Sequence, residues 1–213
     1  TDIEPLKDIY EDNFKVGAAV TGDQLTSEVH TLLNYHYSSL VAENATKPGS
    51  LEPAEGQWNW AEADKIAQYA KDHTMNFRLH TLAWHSQAAE WMFKDAQGQP
   101  LAATPENKQL VLDRLTTYIQ TVARHFSAMD VTINAIDVVN EVIDPGQPDG
   151  MRKSEWYTLT GLDFIRTAFR VARQELPNTK LYINDYSTQD PVKRDFLFNL
   201  VTKLKGEGVP IDG

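Results

Sequence analysis

The sequence contains no cysteine among its 213 residues. Disulfides, thiolate metal sites and cysteine nucleophiles are therefore excluded. No apolar run approaches the ~18 residues that a membrane-spanning helix needs. The chain also lacks the G-x-G-x-x-G turn, the P-loop and the G-x-S-x-G nucleophile elbow. Dinucleotide-binding folds, phosphate-binding loops and acyl hydrolases consequently have no support in the sequence.

Positive charge is scarce: 20 Lys and Arg residues stand against 30 Asp and Glu residues, which gives a net charge of −10. The charges are spread along the chain, and this balance disfavours binding to nucleic acid or to an anionic membrane surface. Apolar residues make up 41% of the chain, enough for a sizeable core. At ~150 residues per domain, the length corresponds to one domain or to part of a larger one.

Short apolar runs alternate with amphipathic stretches along the chain. The apolar runs predict strands over 15–20, 38–42, 76–82, 133–139 and 180–183. The amphipathic stretches predict helices over 26–37, 61–72, 104–125, 162–175 and 190–205. The closing segment, Gly208–Gly213, has the character of a lead-in to a sixth strand. This β/α order predicts a parallel sheet, either a barrel or a doubly wound sheet.

Polar side chains collect where the predicted strands end, at Glu43-Asn44, His80, Asn140-Glu141 and Asn184-Asp185. Functional groups at the carboxyl ends of successive strands are typical of a TIM (β/α)8 barrel. Such a barrel typically needs ~250 residues. The expected fold is therefore α/β, a TIM barrel of which this chain holds about the first five β/α units.

Glu141 follows the apolar strand predicted over 133–139, with Asn140 between them. A partly desolvated carboxyl at a barrel mouth has a raised pKa and can act as a general acid, whereas the alternative is an ordinary surface glutamate. Asp137 lies inside the same strand. It is either a buried orienting group or a sign that the strand prediction is wrong.

Two further clusters are open to two interpretations each. Glu43, Asn44 and Lys47 either grip sugar hydroxyls or form a salt bridge within a loop. Trp84 either stacks on a sugar ring or fills the core. His80 and His85 are five residues apart, not the four of a helical zinc pair, so no metal site and no cofactor is predicted.

Six segments carry a family resemblance when they are taken together and in order. They are AENATKP (42–48), LEPAEGQWNW (51–60), ADKIAQYA (63–70), LHTLAWHSQ (79–87), DVVNEV (137–142) and LYINDY (181–186). This chain resembles glycoside hydrolase family 10, the endo-β-1,4-xylanases, from about residue 12 to residue 213. Several separated motifs in the right order are far more specific than any single one.

The resemblance implies a TIM barrel that hydrolyses the xylan backbone with retention of anomeric configuration. Glu141 matches the general acid/base of the family, and Asn140 matches the amide that contacts the sugar 2-hydroxyl. The remaining substrate-binding positions implied by the resemblance are Glu43, Asn44, Lys47, His80, Trp84, Gln87, Asn184 and Tyr186. Family members usually carry Trp at the position of Ile136 and Met at the position of Thr46.

In the family, the segment VPIDG opens strand six, and the nucleophilic glutamate lies later, at the end of strand seven. We therefore expect residues 1–213 to be the N-terminal portion of a single catalytic domain, truncated before strand six and inactive alone. Expected partners are xylan, xylo-oligosaccharides and the remainder of the barrel, in a second chain or a continuation. A polymer too large to enter a cell implies a secreted, cell-surface or periplasmic protein, with any signal segment either removed or left out of this sequence.

Two other functions remain open from the sequence. A non-catalytic xylan-binding protein derived from the same fold would keep Glu43, Lys47, Trp84 and Asn140 without needing a nucleophile. A metal-dependent barrel enzyme has only the scattered histidines in its favour.

Overall fold

The computed structural model describes residues 3–213 and contains one parallel sheet of five strands. The strands are β1 (Gly17–Val20), β2 (Ser39–Ala42), β3 (Asn76–Ala83), β4 (Ala135–Asn140) and β5 (Lys180–Asn184). Their order in the sheet is their order in the chain. This sequential order is that of successive barrel strands, whereas a doubly wound sheet reverses direction part-way. The predicted parallel sheet is confirmed, and the doubly wound alternative is wrong.

Eight α-helices lie within the described residues, and we number them α1 to α8. They span Leu6–Ile9, Val29–His36, Pro48–Leu51, Ala61–Asp72, Pro105–Ala128, Glu155–Thr160, Asp163–Glu175 and Pro191–Gly206. The five predicted helices correspond to α2, α4, α5, α7 and α8. The short helices α1, α3 and α6 were not predicted, because four to six residues carry too little periodicity. Within residues 3–213, no helix combines the length and apolar character needed to cross a bilayer.

The start of α2 differs from the prediction by three residues. The chain first makes a 3-10 turn over Gly22–Leu25, and Ser27 then turns the backbone before the helix begins at Val29. The Ser27 hydroxyl accepts a hydrogen bond from the backbone N–H of Val29. The predicted start near residue 26 is therefore wrong. The hydroxyls of Thr26 and Ser27 hydrogen-bond to nearby backbone carbonyls, and such bonds favour a turn over the helix interior.

The segment Gly208–Gly213 lies alongside β5. The backbone N–H of Asp212 donates to the carbonyl of Leu181 at 2.8 Å, and that of Ile183 donates to the carbonyl of Gly213 at 2.9 Å. This pairing agrees with the predicted lead-in to a strand, although the segment is not itself assigned as one.

The core is one continuous cluster that runs from β1 to α8. The apolar side chains of β4, which are Ile136, Val138 and Val139, are almost completely buried. Helix α7 packs against β4 and β5, and α5 packs against α7 and, through Phe126, against Phe77 of β3. Burial of β4 on both faces explains its near-continuous apolar sequence.

A column of four stacked rings fixes the loop between α3 and α4 onto α5. The rings of Trp58 and Trp60 are stacked and nearly parallel, with centroids 4.6 Å apart. Tyr118 stacks on Trp58, and His125 stacks on Trp60 at 3.7 Å between centroids. The column ends where His125 Nε2 lies 2.6 Å from a carboxylate oxygen of Asp64 in α4.

Candidate active site

The carboxyl ends of the parallel strands meet at one edge of the sheet, and most of the predicted site residues lie there. Glu43 directly follows β2, Trp84 follows β3, Glu141 follows β4, and Asn184 closes β5. Polar side chains that are far apart in the sequence are thereby brought to the same rim.

Glu141 is held by both its backbone and its carboxylate. Its backbone N–H donates to the carbonyl of Asn184 at 2.8 Å, and its carbonyl accepts from Arg152 Nε at 2.7 Å. The indole N–H of Trp84 donates to Oε2 of the carboxylate at 3.0 Å. The side chain keeps 23% of its surface exposed. A fixed and partly desolvated carboxyl that still meets solvent can exchange a proton with a ligand.

His85 is the nearest titratable neighbour, with Nε2 4.0 Å from Oε2 of Glu141. Burial lowers the pKa of His85, and the charge of Arg152 lowers it further. The carboxylates of Glu141 and Asp185 offset part of this shift. The imidazole is therefore neutral near pH 7 and does not act as a permanent cation beside the carboxylate.

Asp137 orients His80. Its carboxylate accepts a hydrogen bond from His80 Nδ1 at 2.8 Å and forms an ion pair with Arg78. Burial by itself raises the pKa of Asp137, but the hydrogen bonds from His80 and Arg78 outweigh burial and hold that pKa below its usual value. Asp137 is thus a buried orienting group within a genuine strand, as one of the two interpretations predicted.

Lys47 joins the loop after β2 to Trp84. The ammonium donates to Oδ1 of Asn44 at 2.8 Å and lies 5.0 Å from the centroid of the Trp84 ring. Glu43 and Asn44 are exposed, whereas Lys47 is buried. The alternative of a loop salt bridge is wrong for this cluster, because no ion pair joins Glu43 to Lys47 among the contacts of residues 3–213.

Two amides and a phenol complete the rim on the β5 side. Asn140 is buried, and its Oδ1 accepts from Nδ2 of Asn184 at 2.9 Å. Tyr186 is 54% exposed, and its hydroxyl lies 3.4 Å from Nη2 of Arg152. These contacts hold the two amides in a fixed relation and leave the tyrosine ring open to solvent.

Gln87 is exposed in the loop after β3 and has a positive φ of 45°. Its carbonyl accepts from the backbone N–H of Gly49 at 2.8 Å. A Cβ on Gly49 would lie 2.8 Å from that same carbonyl oxygen, so the close approach requires glycine. The backbone of Gln87 therefore ties two loops together.

Sequence reasoning missed Arg152 and Lys193 as parts of the site, whereas Asp185 was noted as a polar residue at a strand end. Arg152 lies in a loop without any motif, and the buried Lys193 follows an ordinary helix start. A cavity of about 440 Å³ was also not predicted. It shares His85 and Arg152 with the crevice around Glu141.

A metal centre receives no support. Within residues 3–213, no group of three or more His, Asp or Glu side chains is arranged to hold an ion. The scattered histidines instead have other partners, since His80 contacts Asp137 and His125 contacts Asp64.

The model of the family described as Glycosyl hydrolase family 10 matches residues 5–213. The chain belongs to glycosyl hydrolase family 10. Its family relatives include endo-1,4-beta-xylanase A of Halalkalibacterium halodurans, which is 49% identical over 99% of this chain and 54% of its own length. The chain thus spans about half the length of that curated relative.

Solved structures of the family agree with the fold. Xylanase B from Clostridium stercorarium F9 superposes with a TM-score of 0.94 and 46% identity, covering 99% of this chain and 63% of that one. An intracellular xylanase from Thermoanaerobacterium saccharolyticum, solved with xylotriose, gives a TM-score of 0.91 at 40% identity, covering 100% of this chain and 66% of that one. The family resemblance and the α/β barrel architecture predicted from the sequence are confirmed.

Proposed function

We propose that the chain is part of an endo-β-1,4-xylanase that cleaves the xylan backbone by the retaining mechanism of glycosidases. That mechanism uses two carboxyl groups ~5–5.5 Å apart, one as acid/base and one as nucleophile. Glu141 takes the acid/base role. The observation that carries the proposal is the Glu141 carboxylate at the end of β4, fixed by Trp84 and partly open to solvent.

The contacts of Glu141 support different roles for its two carboxylate oxygens. Oε2 accepts from Trp84, which leaves Oε1 to give a proton to the departing glycosidic oxygen. In the second step the same carboxylate takes a proton from the attacking water. His85 is neutral and therefore does not form an ion pair with the Glu141 carboxylate.

The nucleophile is proposed to lie in the remainder of the family barrel. The side chain of Asp185, a possible substitute at a strand end, is completely buried and paired with Lys193, so its carboxylate does not meet a sugar. Glu43 is matched by the family to sugar hydroxyls. The greater length of the relatives supports the proposal that residues 1–213 are one portion of a single catalytic domain. We therefore propose that these residues by themselves do not turn over xylan.

Xylan and xylo-oligosaccharides are the proposed substrates. The proposed sugar-binding positions are the remaining residues of the rim: Glu43, Asn44, Lys47, His80, Trp84, Gln87, Asn140, Asn184 and Tyr186. Support comes from their common location and from the xylotriose found in the related xylanase. The chain's charge of −10 gives no electrostatic attraction to a neutral polymer, so binding rests on ring stacking and hydrogen bonds.

We further propose that the protein acts outside the cytoplasm, because a polymeric substrate does not enter cells. The related xylanase from Thermoanaerobacterium saccharolyticum is described as intracellular. Fractionation of the producing cells, followed by immunodetection in medium, envelope and cytoplasm, tests this point. Detection only in the cytoplasm would refute it.

Titration of the purified chain with xylotriose tests sugar binding. Wild type and Glu141→Gln are expected to bind alike, because the amide keeps the shape of the carboxyl. Glu106→Gln, an exposed position at the start of α5, is the matched control. Neither the wild-type chain nor the Glu141→Gln variant is expected to release reducing sugar from xylan. Absence of xylotriose binding would contradict the proposed function, and turnover by the wild-type chain would contradict the proposed location of the nucleophile.

A chimera tests catalysis. Residues 1–213 are joined to the part of the Halalkalibacterium halodurans xylanase that lies beyond its match with this chain. The chimera is expected to hydrolyse xylan, and Glu141→Gln in the chimera is expected to abolish this activity while Glu106→Gln leaves it intact. A chimera that folds and binds xylotriose without hydrolysis would instead favour a non-catalytic xylan-binding protein.

A further inference from the structure

Lys193 and Asp185 form a buried ion pair that the proposed chemistry does not use. Lys193 Nζ lies 2.8 Å from Oδ1 of Asp185, and the two side chains are 4% and 0% exposed. Removing both charges from water costs several kcal/mol per ion, and an apolar pair of similar shape often gives equal or greater stability. The pair therefore calls for an explanation other than stability.

Asp185 connects three parts of the rim. Its carboxylate accepts from the backbone N–H of Tyr186 at 2.8 Å and from that of Ile143 at 3.3 Å. Ile143 lies two residues after Glu141, and Lys193 lies in the first turn of α8. One carboxylate thus ties the end of β5 and the start of α8 to the loop that carries the acid/base.

Lys193 also contacts the ring of Tyr186. Its ammonium lies 3.4 Å from the centroid of that ring, a close cation–π contact. From there the contacts return to Glu141, because the Tyr186 hydroxyl meets Arg152 Nη2 and Arg152 Nε donates to the carbonyl of Glu141. These contacts connect the Glu141 loop with the exposed Tyr186 along two routes, one through Asp185 and Lys193 and the other through Arg152.

We propose that Lys193 is a positioning residue that holds the Tyr186 ring and, through Asp185, the backbone after Glu141. This inference rests on the proposed function, in which Tyr186 is one of the sugar-binding positions. A tyrosine that is half exposed would otherwise sample several side-chain rotamers. A cation beneath its inner face selects one of them and so lowers the ordering cost of sugar binding.

The test compares four variants of the purified chain with wild type. Lys193→Met removes the charge and keeps the length of the side chain, and Lys193→Arg keeps the charge. The double variant Asp185→Asn/Lys193→Met removes both charges and leaves no unpaired buried ion. Lys203→Met, an exposed lysine on the same helix, is the matched control.

Three quantities are measured: the NMR signals of ring-labelled tyrosine, the affinity for xylohexaose and the melting temperature. The Tyr186 signal is assigned from its disappearance in Tyr186→Phe. Lys193→Met is expected to move that signal and to weaken xylohexaose binding by about tenfold. Lys203→Met is expected to change neither, and Lys193→Arg is expected to recover most of the affinity.

The double variant separates positioning from stability. We expect it to regain the melting temperature lost in Lys193→Met, because no charge is left unpaired. The displaced Tyr186 signal and the weak binding are expected to persist. Recovery of both wild-type values in the double variant would overturn the proposal, as would an unmoved Tyr186 signal in Lys193→Met. If Lys193→Met does not fold, the Tyr186 signal and the xylohexaose affinity of the double variant decide instead.

Failure of the proposed function gives a different result. Wild type would then not bind xylohexaose at all, while the ring signals of the variants would still report whether Lys193 holds Tyr186.

Discussion

Two buried carboxylates hold the rim, and each is paired with a cation from elsewhere in the fold. Asp137 in β4 meets Arg78 of the neighbouring strand, whereas Asp185 meets Lys193 of the following helix. The sequence predicted both carboxylates as candidates, because they interrupt or directly follow apolar strands. It could not predict their partners, since those depend on which side chains the folded sheet brings together.

Asp137→Asn is expected to destabilise the chain by about 2–4 kcal/mol, since it leaves Arg78 and His80 without their anionic partner. For a chain of this length, that corresponds to a fall of roughly 5–15 °C in the melting temperature. Thermal unfolding followed by circular dichroism measures the change. Asp130→Asn is the control, because the Asp130 side chain is 97% exposed and its positive φ of 55° suits asparagine equally well. Equal effects of the two substitutions would contradict the structural role of Asp137.

Asp137 also predicts the direction of a pH effect. Its pKa is lower in the folded chain than the usual value of 3.8, so its contribution to stability is fully present above that value. The contribution is lost as the pH falls below about 4 and through the folded pKa, because the unfolded chain then binds a proton more readily. Urea unfolding at a series of pH values is expected to show a steeper acid loss for wild type than for Asp137→Asn. Parallel curves would rule this out.

At the scale of elements, the five strands and the five long helices were predicted to within a few residues. The strand predicted over 133–139 is observed as Ala135–Asn140, one residue closer to Glu141. Ile133 is buried although it precedes the strand, which explains why the apolar run began too early. The loop between β4 and α6, which bears Gly150 and Arg152, gave no periodic signal, and it packs against Phe196 of α8.

Gly150 shows how closely α8 approaches the loop after β4. A Cβ at Gly150 would lie 2.2 Å from the ring of Phe196 in α8. Gly150→Ala is therefore expected to cost about 1–3 kcal/mol for the overlap, in addition to ~1–2 kcal/mol for its positive φ.

Gly56→Ala is the matched control for this substitution. Gly56 has a similar positive φ of 75° but nothing within 4 Å of an added Cβ. For Gly56→Ala, only the cost of the positive φ, ~1–2 kcal/mol, is expected. Chemical denaturation of both variants gives the difference, and equal losses of stability would mean that α8 yields to the added methyl group.

The whole molecule is a sheet whose strands differ in their surroundings. β4 has a strand neighbour on both sides and is buried on both faces, whereas β1 pairs with β2 alone within the described residues. Large apolar side chains are exposed beside both ends of the sheet, with Phe14 and Leu32 near β1 and Phe198 on α8. Stability should therefore decrease from the centre of the sheet outwards.

Hydrogen exchange measured by mass spectrometry or NMR tests this gradient. Amides of β4 are expected to exchange only through global unfolding, whereas amides of β1 are expected to exchange faster through local opening. Uniform protection across the five strands would show that the sheet unfolds as one unit.

The column of Tyr118, Trp58, Trp60 and His125 gives the chain an optical signature. Two indole rings that are stacked 4.6 Å apart, with planes 2° from parallel, have coupled electronic transitions. Their exciton signal in circular dichroism requires the two rings to stay stacked, and Tyr118 and His125 of α5 hold that stack from both sides. Melting of this corner of the fold can consequently be followed with light alone, separately from the loss of helix and without attaching a dye.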